Sequence, residues 1–105
     1  MINLERKGDV FTMTLDSEEN RWNTSFVREL NEILDDVVNS TGPAALVTAS
    51  ASEKFFSNGL DLGWIQNPQD FPDAGDREVF ASEFMHLMAR LITLPIPSIC
   101  AVNGH

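Results

Sequence analysis

The chain is short of basic residues. Seven Lys and Arg stand against sixteen Asp and Glu, for a formal net charge of −9. Nucleic acid and anionic membrane surfaces both call for a basic footprint, so this balance argues against either as a partner. An anionic small molecule remains compatible, provided that backbone amides and a few local cations hold it. Cysteine is nearly absent too: Cys100 is the one thiol. That excludes a disulfide framework and points to a reducing compartment. Its apolar surroundings predict a small buried strand residue rather than a nucleophile. No apolar run approaches the roughly 20 residues of a membrane span. The start, Met1 to Arg6, lacks the basic n-region and apolar h-region of a secretory signal, and carries acid early, unlike a mitochondrial presequence. There is no internal repeat and no low-complexity segment. No cluster has metal-ligand spacing, so no metal is expected.

What remains is ordinary globular composition: 105 residues, 43% hydrophobic and 22% charged, enough for one small domain. Residues 2–6 and 10–15 read as strands flanking a Lys7-Gly8-Asp9 turn, where glycine takes positive φ without steric cost. Phe11, Met13 and Leu15 alternate with Thr12 and Thr14, which predicts one buried face. A helix is predicted from Ser25 to Asn39. Phe26, Leu30, Ile33, Leu34, Val37 and Val38 form its apolar stripe, Glu29, Glu32, Asp35 and Asp36 face water, and Gly42-Pro43 follows as the stop. Ala44 to Ala49 reads as a strand buried on both faces. After a loop from Ser50 to Asn58, a short helix is predicted within 60–66. A polar surface segment covers 67–76, and a long helix runs from Arg77 to Thr93 with Phe80, Phe84, Leu87, Met88, Leu91 and Ile92 on one side. Pro95 and Pro97 end it, and Ser98 to Val102 reads as a second buried strand. The order β, β, α, β, loop, α, β makes the fold class α/β.

Two segments invite a chemical reading. In Lys54-Phe55-Phe56-Ser57-Asn58-Gly59-Leu60-Asp61-Leu62, the plain interpretation is an Asn-Gly turn with core phenylalanines, followed by a helix capped by Asp61. Pro95-Ile96-Pro97-Ser98-Ile99-Cys100-Ala101-Val102-Asn103-Gly104-His105 is a strand running into a turn signal.

The first segment resembles the F-S-x-G-x-D-L pattern of the crotonase family, which includes the enoyl-CoA hydratases and isomerases. The second is similar to that family's P-x-P-x-I-A-A-x-N-G. Asn23 before a helix resembles its early N-A-L segment, with Trp22 and Thr24 in place of commoner small and apolar residues. The resemblance covers essentially the whole chain and about the first two-fifths of a typical member. The double Phe, Asn58 and Asp61-Leu62-Gly63-Trp64 look nearest to plant peroxisomal Δ3,Δ2-enoyl-CoA isomerases.

The resemblance implies a crotonase-like ββα spiral, with residues 1–105 as the N-terminal part of one domain and about its first two turns. It implies an enzyme that moves the double bond of 3-enoyl-CoA to 2-enoyl-CoA in fatty-acid β-oxidation. Coenzyme A belongs to the substrate, so no separate cofactor is expected. Leu60 N–H is implied as one of two oxyanion-hole donors, with Gly59 letting the chain turn. Asp61 either caps the following helix or contacts substrate, and Asn58 is expected to orient the loop through side-chain-to-backbone bonds. Lys54 either approaches the coenzyme A phosphates or adenine or is simply solvated. Arg21 and Trp22 lie where the family lets coenzyme A pass. Phe56 and Trp64 either meet substrate or join the core. In the family the second donor comes from a glycine cluster beyond Gly104 and the base is a glutamate farther on. Glu78 and Glu83 are helix-surface residues, and neither His86 nor His105 is a credible base. The chain alone is therefore expected to be inactive. The alternatives are an enoyl-CoA hydratase, or a non-catalytic acyl-CoA-binding or interaction fragment. Full-length members are expected to form trimers or hexamers. The plant resemblance implies a peroxisome; without it the expectation is the cytoplasm.

Overall fold

A computed structural model describes residues 1–73 and 75–105. Strands β1 (Ile2–Lys7) and β2 (Val10–Leu15) form an antiparallel hairpin with Ile2 opposite Leu15 and Lys7 opposite Val10. Helix α1 (Thr24–Val38) carries the chain to β3 (Ala45–Ser50), which lies parallel to β2. A one-turn helix α2 (Leu62–Ile65) and a long helix α3 (Asp76–Ile92) precede β4 (Ser98–Cys100), parallel to β3. The four strands stand in sequence order, β1-β2-β3-β4. The predicted segment 67–76 falls largely between α2 and α3, and its Ala74 lies outside the described residues.

Period-two alternation puts Phe11, Met13 and Leu15 of β2 on one face, in register with Leu46 and Thr48 of β3. Against that face pack Phe26, Val27, Leu30, Leu34 and Val37 of α1 and Phe80 and Leu87 of α3. The two helices are clamped outside the core by charge. Arg28 makes a paired contact with Glu83, at 2.9 and 3.1 Å, and Arg90 reaches Asp35 at 2.6 Å and the Asn31 carbonyl at 3.0 Å.

Several expectations fail for one reason: the sheet is covered on one face only. β3 is not buried on both faces, since only Leu46 and Thr48 are buried. β4 was expected to be a buried strand through Val102; it is shorter and exposed, with Ile99 64% exposed. It is an edge strand, paired on one side with β3. Cys100 is correspondingly exposed rather than buried. At the helices, Val38 and Ile92 fall outside the packed stripe, while Val27 belongs to it. Glu29 does not simply face water; its carboxylate accepts the Ile2 N–H at 2.7 Å and anchors β1 to α1.

The α1 start is fixed by Asn23, whose side-chain oxygen accepts the Phe26 N–H at 3.0 Å. Asn23→Ala is expected to lower stability by about 1 kcal/mol in urea unfolding, with Asn23→Ser recovering most of the loss.

Candidate active site

Residues 55–61 form no regular element, yet the segment 17–23 holds backbone groups of Phe56, Asn58, Gly59, Leu60 and Asp61. Asn58 N donates to the Glu19 carbonyl at 2.8 Å. Trp22 N donates to the Gly59 carbonyl at 2.8 Å, and Asp61 N to the Trp22 carbonyl at 3.0 Å, so Trp22 and Leu60 make an isolated parallel bridge. Ser57 Oγ donates to the Asn20 carbonyl at 2.8 Å and accepts from Gly59 N at 3.3 Å. In this lattice Leu60 N–H donates to no hydrogen bond among the described residues. The bridge explains this. It engages the groups of Gly59 and Asp61 that flank Leu60, and successive peptide groups of an extended chain point to opposite sides. Gly59 sits at φ +76°, the left-handed region that glycine enters without a Cβ penalty.

The other motif arrives at the same loop. His105 N donates to the Lys54 carbonyl at 3.1 Å, and the His105 carbonyl accepts from Phe56 N and Ser57 N. Asn103 Nδ2 donates to the Ser52 carbonyl at 2.7 Å. The His105 ring stands beside Phe55, with centroids 6.3 Å apart. Segments 54–62 and 95–105, separate in sequence, are thus neighbours in space.

The side chains expected at the site divide. Asp61 caps α2: its carboxylate accepts the Trp64 N–H at 3.1 Å, and Asn23 Nδ2 at 3.3 Å. The Asn58 side chain does not make the expected bond to backbone among the described residues; it donates to the Glu19 carboxylate at 3.0 Å. Arg21 is ion-paired with Glu19 at 2.6 Å. Trp22 sits edge-on between Phe26 and Phe84, with centroids 5.1 and 5.5 Å away. Trp64 packs on Phe71 and Phe80 at 4.6 and 4.9 Å and so joins the core. Lys54 Nζ lies over the Phe55 ring at 5.1 Å and pairs with no carboxylate among the described residues. His86 is exposed on α3, as its position between apolar residues implied.

Two cavities flank the loop. An apolar one of about 280 Å³ is lined by Phe56 and Ser57 of the loop together with Met13, Leu15, Trp22 and Leu91. A polar cleft of about 490 Å³ is lined by Asp61, Arg21 and Asn23 and by the acids Glu18, Glu19 and Glu29. No group of three or more His, Cys, Asp or Glu among the described residues could hold a metal ion. No helix among them is long and apolar enough to cross a membrane.

The Asn58 hydrogen bond, followed by that of Arg21, holds the Glu19 carboxyl below its ordinary value of 4.5. A lowered folded-state value means that the contact is present at neutral pH and is lost as pH falls through that value. The Asn58 side-chain amide resonances are therefore expected to titrate with a midpoint below 4.5. In Asn58→Ala the Glu19 titration should move up toward its ordinary value.

Residues 5–105 match the sequence profile of the family described as enoyl-CoA hydratase/isomerase. The chain belongs to that family. Among curated relatives, the family member is 33% identical over 107 residues to enoyl-CoA delta isomerase 2, peroxisomal, of Arabidopsis thaliana, covering all of this chain and 45% of that protein. It is 32% identical over 106 residues to enoyl-CoA delta isomerase 3 of the same plant, covering 44% of it. The chain thus spans less than half the length of the curated relatives it matches. An enoyl-CoA hydratase structure from Shewanella pealeana superposes with a TM-score of 0.86 at 26% identity, over 98% of this chain and 39% of that one. An enoyl-CoA hydratase/isomerase structure from Xanthobacter autotrophicus gives 0.83 at 25%, over 98% and 38%. The mixed sheet with its covering helices is part of the crotonase fold.

The polar residue that sequence reasoning missed is Asn20. It sits at 0% exposure with φ +49°, at the centre of the contacts between 17–23 and 55–61. Its only sequence signal was an asparagine in a polar, turn-rich stretch, indistinguishable there from a solvated one.

Proposed function

We propose that the chain carries the first half of the oxyanion hole of a Δ3,Δ2-enoyl-CoA isomerase of fatty-acid β-oxidation. The observation that carries this reading is the Leu60 N–H, held in place on both sides and donating to nothing among the described residues. Removing a proton α to a thioester carbonyl puts negative charge on its oxygen. A fixed backbone donor aimed at that oxygen contributes about 3 kcal/mol to the transition state. The base takes the C2 proton and returns it at C4, so the double bond moves while atoms and charge balance. The proposed division of labour assigns the base and a second amide to family positions outside 1–105. The 105-residue chain alone therefore polarises the carbonyl without turning it over.

The surroundings support the same assignment. The apolar cavity that shares Phe56 and Ser57 with the loop suits a fatty acyl chain. The acid-lined cleft repels phosphate, so the coenzyme A phosphates fall to the Lys54 side, whose ammonium pairs with no carboxylate among the described residues. Gly59, Asn58 and Asp61 act by shaping the loop. Arg21 and Trp22 border the path of the pantetheine arm, and Trp64 supports the site from the core. Enoyl-CoA hydratase is the alternative within the family. A peroxisomal location follows from the names of relatives such as enoyl-CoA delta isomerase 1, peroxisomal. Trimeric or hexameric assembly is proposed for the whole protein.

The test uses 3-enoyl-CoA labelled with ¹³C at the thioester carbonyl. On binding to the chain, the carbonyl stretch should move to lower wavenumber while 2-enoyl-CoA fails to accumulate. An unshifted stretch on bound ligand would remove Leu60 N–H from the mechanism. Sustained turnover would overturn the division of labour.

A further inference from the structure

We propose that Asn20 is the positioning residue of the carbonyl-polarising loop, fixing the approach to Leu60 N–H by tying the 55–57 end of the loop to the turn before α1. The inference rests on the reading of Leu60 N–H as the donor to the thioester.

A side chain at 0% exposure has no water to satisfy it, so each polar atom of Asn20 must find protein. Each does. Nδ2 donates to the Phe56 carbonyl at 3.0 Å and to Ser50 Oγ at 2.9 Å, and Oδ1 accepts the Ser17 N–H at 2.9 Å. The amide orientation is unambiguous, because a backbone N–H only donates and a carbonyl only accepts. The Asn20 carbonyl takes the Ser57 hydroxyl, and that same hydroxyl accepts from Gly59 N. Ser50 Oγ passes the contact on to the Phe55 carbonyl at 2.6 Å. One buried residue thus fixes three consecutive loop residues, Phe55, Phe56 and Ser57, and through Ser57 the glycine before the donor.

The backbone fits the same role. Asn20 is left-handed, a conformation that asparagine tolerates better than most residues. That turn puts Glu19 and Trp22 on either side of it against Asn58, Gly59 and Asp61. Pre-organised donors stabilise developing charge only when held to within about half an ångström, and surface contacts alone do not hold a loop that closely. Asn20 supplies the buried, fully satisfied part of the lattice, where hydrogen bonds are strong and unpaired groups are costly.

Asn20→Asp is the informative variant. It keeps the size and the left-handed tolerance, and keeps an acceptor for Ser17 N, but removes both donors toward Ser50 and Phe56. Native-state hydrogen exchange by NMR on the full chain is the measurement. Protection at Asn58, Gly59 and Asp61 should fall about tenfold more than at Leu30 and Leu34 of α1. Part of it should return at acid pH, when the buried carboxyl gains a proton and can donate again. Equal loss in loop and helix would reduce Asn20 to a general stabiliser, and unchanged loop protection would overturn the proposal outright. If Asn20→Asp does not fold, Ser57→Ala cuts the Asn20–Gly59 link outside the core. It should lower protection at Gly59 about threefold with α1 unchanged, and no selective change there also overturns the proposal. These readouts need no ligand, so they fail separately from the carbonyl-stretch test of Leu60.

Discussion

Gly104→Ala is expected to strip Phe56 and Ser57 of amide protection and to lower stability by about 2 kcal/mol in urea unfolding. Gly104 has φ +69°, and a Cβ there would lie 2.9 Å from the Lys54 carbonyl carbon and closer still to its oxygen. Both atoms are backbone, so no side chain can swing aside. Keeping the contact means accepting a left-handed alanine, at about 1–2 kcal/mol, together with an overpacking cost of about 1–3 kcal/mol. Releasing it means giving up the bonds from His105 N to Lys54, from Phe56 N and Ser57 N to His105, and from Asn103 to Ser52. At about 1 kcal/mol each, less the backbone entropy regained by 103–105, release costs no more than insertion. The segment should therefore lift off the loop. Exchange should rise sharply at Phe56 and Ser57, and little at Asp61, which is held by Trp22. If Phe56 and Ser57 stay protected in the variant, the two motifs do not depend on each other.

How much of this was legible beforehand depended on whether the signal was periodic. The spacing of Phe26, Leu30, Leu34 and Val37 placed α1 to within one residue at each end, because a stripe that packs against a sheet has to repeat. Asp61 was readable as a cap because a carboxylate before a short apolar run satisfies free amides wherever the chain goes next. β4 was misjudged from an equally clear apolar run. Hydrophobicity tells that a strand can be covered, not whether a layer lies over it, and Ile99 and Cys100 sit at an uncovered edge. Asn20 was invisible for the converse reason. Its burial is set by two loops closing on each other, a long-range event with no local pattern. The crotonase resemblance located the loop and the Asn-Gly-His turn as separate motifs; only the fold brought His105 against Phe56.

The charge of the chain fits this division. With a net charge of −9, the overall field does not attract the polyanionic thioester proposed above as ligand. Under the proposed function attraction falls to local donors, and the hydrogen bonds of the loop converge around Leu60 N–H, which donates to nothing among the described residues. Asn58, Arg21 and Glu19 brace the loop at the surface, Asn20 from below, and His105 from the far side. Lys54 is the one cation near the loop without a carboxylate partner among the described residues.

Leu60→Pro isolates the donor itself, and its effect on chemistry should be the largest of any change in the chain. Proline removes the N–H and nothing else that the described fold uses. The Trp22–Leu60 bridge runs through the Gly59 carbonyl and Asp61 N, and Leu60 is 40% exposed. The residue before the proline is a glycine, which lacks the Cβ that contributes part of the restriction at this position. Stability should change by less than about 1 kcal/mol, as for a surface position with no bond to lose. The bound thioester carbonyl, in contrast, should return to its wavenumber in water. In an enzyme that completes the site, the turnover rate should fall by about 10² to 10³ with binding little altered, the usual result of deleting one oxyanion donor. Leu60→Ala keeps the N–H and should behave as the parent in both measurements. That contrast separates the amide from the side chain: if proline and alanine weaken polarisation equally, the Leu60 side chain shapes the site and the donor lies elsewhere.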